Sequence, residues 1–176
     1  MKKNVLFDNR PYMWGWETVE TKGRNTVRFT FVETGPAMSV VPLERENEDI
    51  FLNLIQEKRE PDGVQELKAV GGYNRLGESY EECALRKLRE EVGIAALKED
   101  LVDMGRMVGF TVIKLPIRLF YTFRWQKDKG ATDFNIKSIR MSLDEAVNKV
   151  MRHEFGDESA VLAVLRLYVL KNQGLL

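Results

Sequence analysis

Polar and apolar residues alternate through residues 27–32, VRFTFV, with the period of two that marks a half-buried strand. The preceding residues 5–20 carry Tyr12, Trp14 and Trp16 and predict a first hairpin. Residues 37–43, AMSVVPL, and 50–56, IFLNLIQ, predict two more strands joined by the polar turn ERENED. Residues 64–70, VQELKAV, lead into a glycine pair. Further on, residues 101–109 and 112–125 are strand-rich, and Pro116 implies an edge or a bulge because it has no N–H to donate. Residues 126–133, QKDKGATD, read as a polar loop, and residues 135–141 as a strand. Ser142, with Glu145 three residues on, caps a helix through about Met151. Asp157 caps a last amphipathic helix that ends near Lys171.

Between residues 79 and 93 the period becomes helical. Ser79 reads as an N-cap, with Glu82 three residues on completing a capping box. Gly77 provides the tight turn before it, and Gly93 suits the left-handed residue that ends a helix. Tyr80, Ala84 and Leu88 share one face, flanked by Cys83, Leu85 and Val92. Positions 87, 90 and 91 lie within about a third of the circumference of one another, since each residue turns about 100°. Lys87 can therefore touch both Glu90 and Glu91, one turn away.

Residues 72–94, GYNRLGESYEECALRKLREEVGI, resemble the Nudix box, G-x5-E-x7-R-E-U-x-E-E-x-G-U, where U is a bulky aliphatic. Gly72, Glu78, Arg86, Leu88, Glu90, Glu91, Gly93 and Ile94 match it, and Lys87 stands where the pattern has a glutamate. The resemblance implies a Nudix fold: an α/β protein with a mixed sheet sandwiched between helices and an N-terminal strand pair. A single domain over residues 1–176 is expected, with residues 1–33 as the N-terminal extension and 37–173 as the core. The layout looks like the ADP-ribose pyrophosphatase branch. Its looser motifs read here Val40-Val41-Pro42-Leu43, Gln56-Glu57-Lys58-Arg59 and Asp144-Glu145-Ala146.

In a complete box the carboxylates hold Mg²⁺ or Mn²⁺, hard cations that prefer oxygen ligands. The resemblance puts Glu90 and Glu91 in that role, with Glu78 and a Gly72 carbonyl as further candidates and Arg86 orienting a carboxylate. Lys87 opposes it, because an ammonium among carboxylates competes with the cation and, staying protonated, makes a poor general base. The chain then takes a ligand or base from elsewhere, binds metal weakly, or has lost hydrolysis, unless Lys87 simply points to solvent. Where branch members often place a glutamate four residues before the box glycine, this chain has Lys68, with Glu66 nearby. The late glutamate that many members supply is absent from residues 127–137, which offer Asp128 and Asp133.

On the substrate side, Arg59, Lys58, Lys68 and Arg75 can meet phosphate oxygens. Trp16, Trp14 and Tyr12 can stack on a base, or serve core or dimer packing. The branch implies a homodimer through the N-terminal strands. Composition adds exclusions. Lys plus Arg and Asp plus Glu are both 27, which gives no sign of a duplex-binding surface. A single cysteine, Cys83, excludes an internal disulfide and fits a reducing cytoplasm, and a single histidine, His153, excludes histidine metal clusters. No apolar run has the length of a membrane span or a signal-peptide core. The function the resemblance implies is metal-dependent hydrolysis of the diphosphate bond in a nucleoside diphosphate linked to another moiety, with ADP-ribose or a nucleotide sugar as the leading candidates. The alternative is a weak or inactive Nudix domain that binds a nucleotide.

Overall fold

The computed structural model describes residues 3–23, 25–58, 63–107, 113–128 and 136–176. The first strands are β1 (Asn4–Asn9), β2 (Met13–Lys22), β3 (Asn25–Thr34), β4 (Ala37–Glu46) and β5 (Asp49–Lys58). The short strands β6 (Gln65–Lys68) and β7 (Val70–Tyr73) precede helix α1 (Tyr80–Val92). Then come β8 (Ile94–Ala95), a 3₁₀ turn (Lys98–Asp100), β9 (Val102–Met107), β10 (Ile113–Lys114), β11 (Ile117–Thr122) and β12 (Gln126–Lys127). The chain closes with β13 (Ile136–Ser142), α2 (Leu143–Met151) and α3 (Glu158–Asn172).

The main sheet has the order β13-β5-β4-β11-β9, with β6 on β5 and β7 on β4. It is mixed: β11 runs parallel to β4, while the β4–β5, β5–β13 and β11–β9 pairs are antiparallel. The β4–β5 hairpin splays along its length. Residues 43–46 of β4 pair with β5, but residues 37–40 pair with β7 instead. Pro42 falls where one partner is exchanged for the other, a place where a missing N–H costs no ladder bond on that side. The splay admits β6 and β7 and brings Gly71 and Gly72 beneath α1.

Alternation in the strands sends side chains to two apolar layers. Met38, Val40, Ile55, Val70 and Phe120 pack against Cys83, Ala84 and Leu88 of α1. Val41, Leu43, Leu52, Leu54 and Tyr121 pack against Ala146 of α2 and Ala163, Val164 and Leu167 of α3. The expected layering of helices about a mixed sheet is present. No helix among the described residues is long and apolar enough to cross a membrane.

Four expectations need correction. The polar turn ERENED is mostly strand: the turn itself is Asn47 and Glu48, with Asn47 at φ 56°, a left-handed conformation asparagine tolerates in two-residue hairpins. Pro116 marks neither an edge nor a bulge. It lies between β10 and β11, where the chain passes from one sheet to the other, and β11 runs between β4 and β9. The N-terminal strand pair is part of a four-stranded sheet, because β3 joins β1 and β2 and β10 from the core adds in parallel to β3. The polar loop at residues 126–133 begins with strand β12, which pairs with β8 just after the box helix.

Leu88 is fully buried between α1 and the sheet. Leu88→Ala is expected to lower unfolding stability by about 2–5 kcal/mol. Urea denaturation measures this, and a loss under about 1 kcal/mol would show that α1 is not anchored through this side chain.

Candidate active site

The box helix is held at both ends as its residues dictate. The Ser79 hydroxyl accepts from the Glu82 N–H at 3.2 Å, and the Glu82 carboxylate accepts from the Ser79 N–H at 2.8 Å. Gly93 closes the helix at φ 61°, left-handed, with its N–H donating to the Leu88 carbonyl. These caps fix the rotation of α1, and so the direction of each charged side chain.

Arg86 is the hub of the outer network. Its guanidinium donates to both Glu78 oxygens at 2.7 and 2.9 Å, to Glu90 at 3.0 Å and to the Tyr73 carbonyl at 3.2 Å. The side chain of Glu78 also accepts from the Arg75 N–H at 2.8 Å, so it ties the entry loop to the helix. The Arg86 hydrogen bonds hold the Glu78 carboxyl down at about 2, and Glu78 in turn raises the pKa of Arg86. Glu90 is shared between Arg86 and the Arg75 guanidinium, 3.3 Å away. The Cys83 thiol lies beneath, toward the Gly72 and Tyr73 carbonyls. Burial pushes it up to about 12, so it is an inert core thiol.

Lys87 forms the inner half and does not point to solvent. Its ammonium lies 2.7 Å from Glu91 Oε1 and 3.6 Å from Glu90 Oε2. The Glu91 side chain is only 7% exposed, and its second oxygen faces the Gly71 N–H at 3.4 Å. Burial lowers the Lys87 pKa, but the hydrogen bond to Glu91 and the charges of Glu91 and Glu90 outweigh it and raise it. Lys87 is therefore charged at neutral pH. Burial raises the Glu91 pKa, Lys87 and the Gly71 N–H pull it down, and the Glu57 charge adds to the rise. The stem of Lys87 lies flat on Gly72, where a Cβ would fall 2.6 Å from Lys87 Cε. Gly72 thus serves as a berth for the lysine.

The other expected residues scatter. Lys68 reaches Glu57 at 3.1 Å and Glu66 at 3.8 Å. Lys58 is exposed at the end of β5. Arg59 and Asp133 lie outside the described residues. Asp128 sits 3.7 Å from Arg89, a helix position about 160° from Lys87 and Glu91. Trp16 does not present a stacking face. It is buried against Phe31, ring centroids 4.3 Å apart, with the Lys3 ammonium over its ring. Trp14 donates its indole N–H to Glu33 at 2.9 Å. Tyr12 packs edge-on to Tyr73, the residue after Gly72, and so ties the N-terminal sheet to the box.

Comparison with known proteins agrees with this geometry. The model of the NUDIX domain matches residues 33–162. The chain belongs to the Nudix family. A solved crystal structure of an ADP compounds hydrolase is similar over 100% of this chain and 98% of its own, with a TM-score of 0.70 and 19% identity. At that identity the likeness shows the fold. No curated protein matches.

Nudix hydrolases generally use a divalent cation, and the side chains of this box do not fit one as they stand. Hard cations need several oxygen ligands close around them. Here Glu78 and Glu90 are committed to Arg86 and Arg75, and Glu91 holds the Lys87 ammonium. Among the described residues, no group of three or more His, Cys, Asp or Glu side chains is arranged to hold a metal ion. Sequence reasoning missed Glu57, whose charge reaches Glu91 from β5. It also missed a groove of about 800 Å³ beyond the end of α1, lined by Phe123, Trp125, Lys127 and Arg140 among others. Neither has a signal in a local motif, because both depend on which strands pair.

A carboxyl depressed on folding stabilises the protein above its unfolded value and loses that contribution as pH falls through its folded one. For Glu78 the window runs from 4.5 down to about 2. Glu78→Gln should lower stability at neutral pH and flatten the pH dependence in that window. Chemical denaturation across the acid range measures it, and an unchanged slope would contradict the Arg86–Glu78 account.

Proposed function

We propose that this chain hydrolyses the diphosphate bond of a nucleoside diphosphate linked to a second moiety, ADP-ribose or a nucleotide sugar, and that Lys87 holds the turnover low. The observation that carries the reading is the intact frame of the box. Gly71 and Gly72 pass under α1, Arg86 locks Glu78 to Glu90, and Glu91 is buried beside them. The substrate class is supported by the solved relative, named as a hydrolase of ADP compounds.

In this reading Arg86 and Glu78 are positioning residues, since their hydrogen bonds go to each other and to neighbouring groups of the box. Arg75, 70% exposed beside Glu90, and Lys87 are the two other cations at the carboxylates and meet the phosphate oxygens. Any Mg²⁺ or Mn²⁺ that reaches the box contests Glu91 with Lys87, which is why turnover is low. A homodimer through the N-terminal sheet belongs to the same proposal. Val5, Val27 and Phe29 are exposed there on the face of Trp16 and Phe31, an apolar face that suits a second copy.

A second reading has its own observation. The 2.7 Å contact of Lys87 with Glu91 also suits a domain that binds a nucleotide and does not turn it over.

The test is release of phosphate-bearing products from ADP-ribose, nucleotide sugars, dinucleoside polyphosphates and nucleoside triphosphates with Mg²⁺ or Mn²⁺. Slow turnover of the first two classes is expected. Lys87→Glu should raise it by at least roughly tenfold, the scale of one well-placed charge. Glu91→Gln should abolish it. No turnover by either the parent or Lys87→Glu, with thermal stabilisation by ADP-ribose, would favour the binding domain.

A further inference from the structure

The box balances its charge within the chain. Glu78, Glu90 and Glu91 face Arg75, Arg86 and Lys87, three carboxylates against three cations. With glutamate at position 87 the same set would carry two net negative charges, the charge one divalent cation neutralises. Exchanging glutamate for lysine therefore has the electrostatic size of one metal ion.

The placement of Lys87 matches that arithmetic. Its side chain is 23% exposed, its stem lies on Gly72, and its ammonium sits between the two adjacent carboxylates of the box. A lysine on a solvated face would share the helical ion pairs but not the burial or the seat on Gly72. An ammonium has three N–H donors. Glu91 takes one at 2.7 Å, while Glu90, 3.6 Å away, is an ion-pair partner and not a hydrogen-bond acceptor, so donors remain for an anion, with the Arg75 guanidinium across Glu90.

We propose that Lys87 is a tethered cation that replaces the divalent metal, so that the diphosphate of the ligand is taken directly on the Lys87 ammonium and binding needs no metal. This rests on reading the site as a nucleoside-diphosphate site. Binding and hydrolysis are then separable: the parent chain binds without metal, and turnover rises only when position 87 no longer fills the place of the cation.

The experiment uses the full chain, stripped of metal, with Mn²⁺ alone and ADP-ribose alone as probes. Mn²⁺ binding is followed by electron paramagnetic resonance, and ADP-ribose binding by calorimetry with EDTA or with Mg²⁺. The parent is expected to bind ADP-ribose with affinities that agree within about threefold in the two buffers. Lys87→Met should weaken ADP-ribose binding in EDTA by roughly tenfold or more, the size of one charge-assisted hydrogen bond. Lys87→Glu should bind Mn²⁺ at least roughly a hundredfold more tightly than the parent. A parent that binds Mn²⁺ as tightly as Lys87→Glu overturns the proposal, and so does ADP-ribose binding that vanishes in EDTA. If Lys87→Glu fails to fold, the two parent measurements and Lys87→Met still decide. If ADP-ribose binds under no condition while the Mn²⁺ contrast holds, metal replacement by Lys87 stands and the nucleotide reading falls.

Discussion

A carboxylate buried under a helix has to be compensated, and in this protein the compensation of Glu91 organises the site. A buried charge without a partner is far more costly than an exposed one, whereas a close, hydrogen-bonded partner offsets most of that cost. Lys87 is that partner, one turn back on the same helix. The contact decides what else the box can hold. It holds the Glu91 pKa below where burial alone would push it, although burial still leaves that pKa raised, and it places an ammonium against the oxygen a cation would need. It also leaves Glu90 to the two arginines.

The surrounding fold serves this arrangement. The capping box and the left-handed Gly93 fix the rotation of α1, so Lys87 and Glu91 face Gly72 and Gly71 of β7. The splay of β4 from β5 makes room for those strands and brings the Gly71 N–H to Glu91. Gly72 contributes by what it lacks, because a Cβ there would meet the lysine stem. Behind the helix, Leu88 and Ala84 seat it on Val40, Val70 and Phe120. Loss of a cap, a berth or a core contact would each move the same pair of charges.

Much of this was legible in the chain itself. Capping residues act locally, so both ends of α1 and the starts of α2 and α3 follow from Ser79, Gly93, Ser142 and Asp157. The contact of Lys87 with Glu90 and Glu91 follows from helical spacing alone. What was not legible depends on pairing at a distance. That Glu57 lies within reach of Glu91 is a matter of how β5 meets β6. That Trp16 is packed away rather than offered to a base depends on Phe31 across the hairpin and on Lys3 above it. That Ile113–Lys114 belongs to the N-terminal sheet is set by a parallel bridge to β3, for which a two-residue strand carries no signature. Arg75 was legible as a cation flanking the box, and its bond to Glu90, made across the entry loop, was not.

The central claim, that a lysine fills the place of the cation, is tested most directly by an anomalous difference map, collected at the manganese edge from crystals of the full chain grown with Mn²⁺. The account predicts the Lys87 ammonium within hydrogen-bonding distance of Glu91 and no manganese peak between Glu90 and Glu91. A strong peak bound by both carboxylates, with Lys87 swung away from Gly72, would contradict it.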